Sequence, residues 1–264
     1  MGIAFAKPPV NEVVAGQAFV PRSDLLIPHL GEFWASRLKG QYPRVAHAVP
    51  VTSANEPPFC DPLTGAPLPR LWFTGHEETR MVQLQQDRIY ANWRRLKVSD
   101  EYVRFPAVRD EFIRVLDEFN QYVEATTGVR LKPVRYELTY VNMLRKGDEY
   151  GEVTDLSKVF RDFGWQPGAR FLSHPSKLGA RFEFALPNEF GTLTVAADPV
   201  RKNDTEEDLY RFQLAAVAPI EVAGRINFAQ WIETAHDQIV RGFKDLTTSQ
   251  MHAHWGLIPE EGQE

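Results

Sequence analysis

Polar and apolar residues alternate along several stretches of the chain, as they do in strands that bury one face. Val82 and Leu84 alternate with glutamines, and Ile89, Ala91 and Trp93 alternate with polar residues in the next stretch. Glycine, proline, asparagine and aspartate residues separate these stretches, as turns require. The pattern predicts strands over residues 10–20, 70–74, 80–86, 88–96, 134–144, 181–186, 192–197 and 209–216, and a short strand near 45–51.

Apolar residues recur with helical spacing between these strands. Ser23 or Asp24 can cap the first such stretch, and Gly128 closes the second, which has the clearest apolar stripe. The predicted helices span residues 24–39, 106–126, 155–163 and 227–246. The side chains that we expect in the core are Phe112, Phe119, Trp231 and Phe243, and the further tryptophans Trp72, Trp93 and Trp165.

These elements predict an α+β fold, a large antiparallel sheet with the helices on one face. The order strand, helix, three strands, helix occurs twice along the chain. We therefore expect a single domain over residues 1–264, in which 1–128 and 129–264 are two tandem β-α-β-β-β-α halves if the repeated order reflects a duplication. The halves share no evident sequence identity, so both interpretations stay open.

Composition and charge narrow the class of protein. The 264 residues are 43% hydrophobic and 25% charged, which is typical of a globular chain, and the net charge of -5 argues against broad coating of nucleic acid. The single cysteine, Cys60, excludes an internal disulfide and a multi-cysteine zinc site. No apolar run reaches the length of a membrane span, and the first one is too short for a signal peptide. We therefore expect a cytoplasmic protein with no membrane partner.

Motifs for cofactor chemistry are absent from the sequence. It contains no P-loop, no Gly-x-Gly-x-x-Gly and no Gly-x-Ser-x-Gly, so we expect no cofactor. His252 and His254 are the most closely spaced histidines, and His236 could supply a third metal ligand. Both imidazoles of the pair would point the same way in a strand but would diverge in a helix. The alternative is a docked C-terminal segment with the imidazoles at its edge.

The polar side of the predicted strands faces away from the helices and combines amides, guanidinium groups and a phenol. These groups suit a binding surface because they offer varied hydrogen-bond donors and acceptors. The candidate binding residues are Gln85, Tyr90, Asn92, Arg94, Arg135, Arg181 and Arg211. We expect Asn92 and the four arginines to converge on one solvent-accessible concavity. The alternative is a solvated face on which arginine and glutamate pair across strands.

Several short motifs resemble those of a bacterial protein family. They are the opening Pro-Pro-Val-Asn-Glu-Val-Val at 8–14, Val-Gln-Leu-Gln at 82–85 with Asn-Trp at 92–93, and Tyr-Val-Asn at 140–142. With them the chain resembles a sporadically distributed bacterial family of uncharacterised proteins of similar length. The resemblance implies no catalytic residues, and the scattered distribution implies a context of mobile or defence-associated genes.

Three functions remain open from the sequence. The preferred hypothesis is a non-enzymatic binding or sensing protein whose polar sheet face engages a ligand or macromolecule. The first alternative is a hydrolase or nuclease with a carboxylate and histidine site, which a cleft that gathers such groups would favour. The second is a structural subunit of a homo-oligomer, which a large exposed apolar patch would favour.

Overall fold

The computed structural model describes residues 3–52, 57–61, 63–165, 168, 171–202 and 207–258. Within them the chain has an α+β fold, as predicted. The strands are β1 Ala4–Phe5, β2 Val10–Phe19, β3 Arg44–Ala48, β4 Arg70–Thr74, β5 Arg80–Gln85, β6 Arg88–Arg94, β7 Pro133–Arg145, β8 Ala180–Ala185, β9 Thr192–Arg201, β10 Asp208–Ala218 and β11 Leu257–Ile258. The α-helices are α1 Ile27–Phe33, α2 Phe105–Thr127, α3 Leu156–Val159, α4 Ile220–Ala223, α5 Phe228–Leu246 and α6 Ser249–His254.

The main sheet has nine strands in the order β3-β4-β5-β6-β2-β7-β10-β9-β8, and β1 pairs with β11 in a separate two-stranded sheet. The predicted strands all join the main sheet, which confirms the antiparallel architecture. In each predicted half the first long strand neighbours the last strand of the following hairpins, β2 beside β6 and β7 beside β10. The duplication itself stays a prediction, because strand order alone does not establish common origin.

The described chain divides into two compact units. The first unit comprises Met1–Glu12, Leu138–Val217 and Ile232–Glu264, and the second comprises Val13–Glu137 and Ala218–Trp231. Each unit has its own aromatic core, and the predicted core residues Phe112, Phe119, Trp231 and Phe243 are all buried.

In the second unit, Phe119 of α2 lies between two other rings. Its ring centroid is 5.0 Å from that of Phe33 and 5.9 Å from that of Phe19. Phe112, nearer the start of α2, has its ring centroid 4.5 Å from that of Phe228 in the first turn of α5. The Phe228 ring also meets the ring of Tyr136 of β7 edge-on, at 5.3 Å. These contacts place α2 and the start of α5 on the same side of β7, as predicted.

In the first unit, Phe243 of α5 forms the centre of the aromatic core. Its ring centroid is 5.4 Å from Phe5, 5.0 Å from Trp255 and 5.7 Å from Phe212. These contacts join β1, β10 and the C-terminal segment to α5. No helix in the described residues is both long enough and apolar enough to cross a membrane.

Two predicted helices differ from the observed ones. The first helix begins later than predicted, at Ile27, and neither Ser23 nor Asp24 is its N-cap. The N-cap is Leu26, whose backbone N–H donates a hydrogen bond to Nδ1 of His29 at 3.0 Å. A π-helical segment, Trp34–Leu38, continues it. The third predicted helix is only a 3₁₀ turn, Val153–Asp155, followed by the short α3. It ends there because the next residue, Phe160, is extended and bridges to Thr247.

Candidate functional site

In the first unit, the outer face of the sheet is the solvated face that alternation predicts. Along β10, Phe212, Leu214 and Ala216 are buried, whereas the residues between them are half-buried. Arg181 of β8 is exposed. Arg211 of β10 is half-buried and lies directly opposite Asp198 of β9. Its Nη2 is 3.4 Å from Asp198 Oδ2, and its Nε has no hydrogen-bond partner among the residues that the structure describes.

The second unit differs, because both faces of β5 and β6 are buried. Gln85 is 2% exposed, Asn92 5% and Tyr90 7%. The prediction that Asn92 is accessible to solvent is therefore wrong, and the other two candidate residues are buried as well. Alternation assigned them to the correct face, away from α2, but that face is covered.

Amide side chains bind one another and the chain that covers them. Gln83 Nε2 donates to Oδ1 of Asn92 at 2.7 Å. Gln85 makes two bonds with the backbone of Val51, accepting from its N–H at 2.9 Å and donating to its carbonyl at 3.0 Å. The segment that follows β3 therefore lies over this face. The side chain of Gln85 forms with its backbone the two hydrogen bonds that a neighbouring strand would otherwise form.

An ion pair occupies the tight turn between β5 and β6. Asp87 and Arg88 are adjacent in sequence, and Arg88 Nη2 lies 2.6 Å from Asp87 Oδ2, with both side chains almost fully buried. Asp87 Oδ1 also accepts from Gln85 Nε2 at 2.9 Å. Burial lowers the pKa of Arg88, but its hydrogen bonds to Asp87, the charge of Asp87 and the nearby Tyr90 together outweigh burial, and the pKa of Arg88 lies above its ordinary value. The guanidinium of Arg88 therefore stays charged inside the protein.

The phenol of Tyr90 connects this turn to β7. Its hydroxyl donates to Oε2 of Glu137 at 3.2 Å, and Oε1 of Glu137 lies 2.8 Å from Nε of Arg135. Burial, followed by the charge of Glu137, raises the pKa of Tyr90 to about 12. Arg135, a predicted anchor for a ligand, is thus paired within the protein.

The remaining predicted anchor of this unit, Arg94, lies at the end of β6. It is half-buried, and its Nε donates to the carbonyl of Glu78 at 3.1 Å. This bond fixes the loop between β4 and β5. The predicted arginines of the second unit therefore serve the protein's own structure.

Arg70 and Trp72 of β4 extend the same face toward the edge of the sheet, and sequence analysis missed both. Trp72 lies directly opposite Gln83, which lies opposite Tyr90, so the three side chains share one face. Sequence analysis predicted Trp72, Trp93 and Trp165 in the core. Trp93 is buried as predicted, but Trp72 and Trp165 are only half-buried. The guanidinium of Arg70 lies over the Trp72 ring, 5.5 Å from its centroid.

Three buried polar atoms on this face have no hydrogen-bond partner among the described residues: Nε of Arg70, Nε1 of Trp72 and Oε1 of Gln83. Most buried polar groups in folded proteins are paired, so such a group calls for an explanation. We name this region the β4–β6 polar surface, and define it as the side chains of Arg70, Trp72, Gln83, Gln85, Arg88, Tyr90 and Asn92.

The histidines predicted as metal ligands do not form one site. His236 Nδ1 is 2.9 Å from the hydroxyl of Tyr140, and His252 Nε2 is 3.0 Å from that of Thr247. His252 and His254 lie in α6, where helical geometry separates them. In the described residues, the set that gathers three potential ligand atoms within 4.8 Å of one another is Asp148, Glu149 and His254.

Two clefts lie elsewhere on the units. One, of about 390 Å³, has Tyr42, Arg80 and Glu111 in its wall, and the other, of about 290 Å³, has Lys146 and Glu152 in its wall. Glu111 accepts from both Tyr42 and Arg80, and Lys146 is 3.1 Å from Glu152. These charged groups are satisfied by each other, whereas the β4–β6 polar surface retains unsatisfied ones. The latter is therefore the better candidate site.

Comparison with protein-family models, curated proteins and solved structures finds no match for this chain. The family resemblance of its short motifs stays a prediction, and the assignment of function depends on the geometry of the β4–β6 polar surface.

Proposed function

We propose that the protein is a non-enzymatic binding or sensing protein and that its ligand is a small molecule held on the β4–β6 polar surface. The observation that carries the proposal is the set of unpartnered buried atoms on Arg70, Trp72 and Gln83. Each buried donor or acceptor without a partner costs about 1–3 kcal/mol. A ligand that satisfies all three would recover that free energy on binding.

The burial of the surface supports a small ligand. Gln83, Tyr90 and Asn92 are almost fully buried, whereas Arg70 and Trp72 on the neighbouring strand are only half-buried. Burial therefore decreases toward β4, and a ligand would enter from that side. A macromolecule could reach Arg70 and Trp72 but not the deeper amide of Gln83.

The chemistry of the surface supports binding rather than catalysis. Asp87 is neutralised by Arg88, and Glu137 binds both Tyr90 and Arg135. Both carboxylates that contact this surface are therefore paired, and the high pKa of Tyr90 keeps its hydroxyl protonated near neutral pH. The groups that remain available are hydrogen-bond donors and an amide acceptor, which are binding groups.

The test is to purify the protein natively from its host, denature it, and identify the released small molecules by mass spectrometry. We expect a compound that accompanies the wild-type chain and is lost from the double variant Trp72→Phe/Gln83→Leu. Gln213→Leu is the matched control, because Gln213 occupies the solvated face of β10. In parallel, a small-molecule extract of the host should raise the melting temperature of the wild type and of the control only. An extract that shifts none of the three, with no compound released, would contradict the proposal.

A further inference from the structure

The arginines on and beside the β4–β6 polar surface differ in whether a carboxylate pairs with them. Arg88 has Asp87, and Arg135 has Glu137. Arg70 has no carboxylate or hydrogen-bonding partner among the described residues, and its Nε is buried. Within the β4–β6 polar surface, the positive charge of Arg70 therefore has no counter-charge among the described residues.

The guanidinium of Arg70 lies over an aromatic ring. Its central carbon is 5.5 Å from the centroid of the Trp72 ring. A guanidinium over an aromatic ring can present its N–H groups in the plane of the fork, where a carboxylate or phosphate accepts two bonds at once. Burial lowers the pKa of Arg70, and the charge of Arg88 contributes to that decrease, so an arriving anion would relieve an existing penalty.

We propose that the ligand is an anion with a planar body, that Arg70 binds its carboxylate or phosphate group, and that Trp72 and Gln83 bind its planar part. This inference rests on the ligand-binding function proposed above. A neutral or cationic ligand would leave the Arg70 charge half-buried without compensation, which is costly.

Strand geometry sets the size of the ligand. Arg70 and Trp72 are two residues apart on β4, and their Cα atoms are therefore about 7 Å apart. Trp72 and Gln83 are directly opposite across β4 and β5, with Cβ atoms about 5 Å apart. A single aromatic ring that carries one acidic group spans these distances. Its ring would need an acceptor toward Trp72 Nε1 and a donor toward Gln83 Oε1 for full satisfaction.

Four probes separate the chemical classes: benzoate, phenyl phosphate, the neutral benzamide and inorganic phosphate. Binding of each to the full chain is measured by calorimetry or by protein-observed NMR. We expect benzoate or phenyl phosphate to bind more tightly than benzamide and inorganic phosphate, since only the first two combine an anion with a ring. Whichever of benzoate and phenyl phosphate binds more tightly identifies the acidic group.

Variants of Arg70 assign the anion to this residue. Arg70→Gln should weaken binding of the preferred probe by about tenfold to a hundredfold, and Arg70→Lys should retain part of it, because the charge remains while the fork is lost. Arg37→Gln is the matched control, since Arg37 is an exposed arginine in the π-helical segment. Melting curves establish that each variant is folded.

The inference is overturned if benzamide binds as tightly as benzoate and phenyl phosphate, if none of the four probes binds, or if Arg70→Gln binds the preferred probe as well as Arg37→Gln does. Its failure is distinct from failure of the proposed function. A neutral compound released from the natively purified protein and lost with Trp72→Phe/Gln83→Leu would support the ligand-binding role and reject an anionic ligand.

Discussion

The ring of Tyr90 on β6 lies directly against the backbone of Gly16 on β2. A Cβ atom added to Gly16 would fall 2.1 Å from Cδ1 and 2.3 Å from Cε1 of that ring. Gly16 has no unusual backbone angle, so it is required here for space alone. The close approach holds the Tyr90 hydroxyl toward Glu137 and thereby fixes the inner end of the β4–β6 polar surface.

We predict that Gly16→Ala destabilises the protein, because the methyl group forces the Tyr90 ring or the strand to move. Overpacking of this kind costs about 1–3 kcal/mol in the free energy of unfolding, measured by urea denaturation. The control is Gly31→Ala in α1, where an added Cβ meets nothing within 4 Å. Helix propensity should make this control more stable than the wild type by about 0.5–1 kcal/mol. Equal effects of the two substitutions would show that Tyr90 does not pack on Gly16.

The buried pair in the turn between β5 and β6 gives a second prediction. Asp87→Asn removes the negative charge and leaves the buried guanidinium of Arg88 without its counter-ion. Breaking one side of a buried pair costs about 3–5 kcal/mol, so the free energy of unfolding should fall by an amount in that range.

The control for Asp87→Asn is Asp24→Asn. Asp24 also pairs with a nearby arginine, Arg22, but its side chain is 51% exposed. Exposed pairs contribute about 0–1 kcal/mol, and the control should therefore be nearly neutral. A similar small loss for both variants would mean that the Arg88 charge is solvated and that the polar surface is open at the turn.

Sequence patterns predicted the sheet and the long helices because each is determined by local periodicity. In β7, buried residues, among them Tyr136, Leu138 and Tyr140, alternate with half-buried ones from Tyr136 to Arg145. The same alternation in β5 and β6 correctly assigned residues to faces. It could not reveal that the polar face is covered, because period two distinguishes the two sides of a strand without showing what packs on either.

The residue types on the polar faces of β5 and β8 differ, and this difference could have predicted which face is buried. On β5 the polar face carries the amides of Gln83 and Gln85, whereas on β8 it carries the charges of Arg181 and Glu183. Amides can be buried at modest cost when they bind each other or backbone, but charges are usually left in water. The role of Arg70 could not be inferred in this way, because it depends on which arginines lack an acidic partner in the folded chain.

The core of the second unit provides a third prediction. Phe119 is fully buried between Phe19 and Phe33, so Phe119→Ala should leave a cavity and lower the free energy of unfolding by about 3–5 kcal/mol. Val98→Ala is the control, because Val98 is 77% exposed. Its effect should stay within about 0.5 kcal/mol. A melting temperature unchanged by Phe119→Ala would mean that α2 does not pack on the sheet as described.

His252 in α6 makes stability depend on pH. The Thr247 hydroxyl donates to the carbonyl of Phe243 at 2.6 Å, so in its contact with His252 Nε2 it must act as acceptor, and Nε2 carries the proton. Burial lowers the pKa of His252 below its ordinary value of 6.5, and the positive charges of Arg161 and Lys244 lower it further. The folded chain therefore disfavours protonation at a pH where the unfolded chain accepts it.

The sign of the pH effect follows from this difference in pKa. Well above pH 6.5, the ordinary value, His252 is neutral in both states and its contribution to stability is fully present. As the pH falls below that value, the unfolded chain binds a proton first, so the contribution is lost progressively until the lower pKa of the folded state is passed.

We expect the free energy of unfolding of the wild type to fall more steeply below pH 6.5 than that of His252→Gln, whose residue 252 cannot titrate there. Carboxylates that titrate at lower pH affect both proteins alike, so the difference between their curves isolates His252. His254→Gln is the control, because His254 is an exposed histidine of the same helix, and its Nε2 lies 3.3 Å from Asp148. If the curves of the wild type and His252→Gln stay parallel between pH 8 and pH 5, roughly the range in which histidine titrates, then His252 is not buried as described.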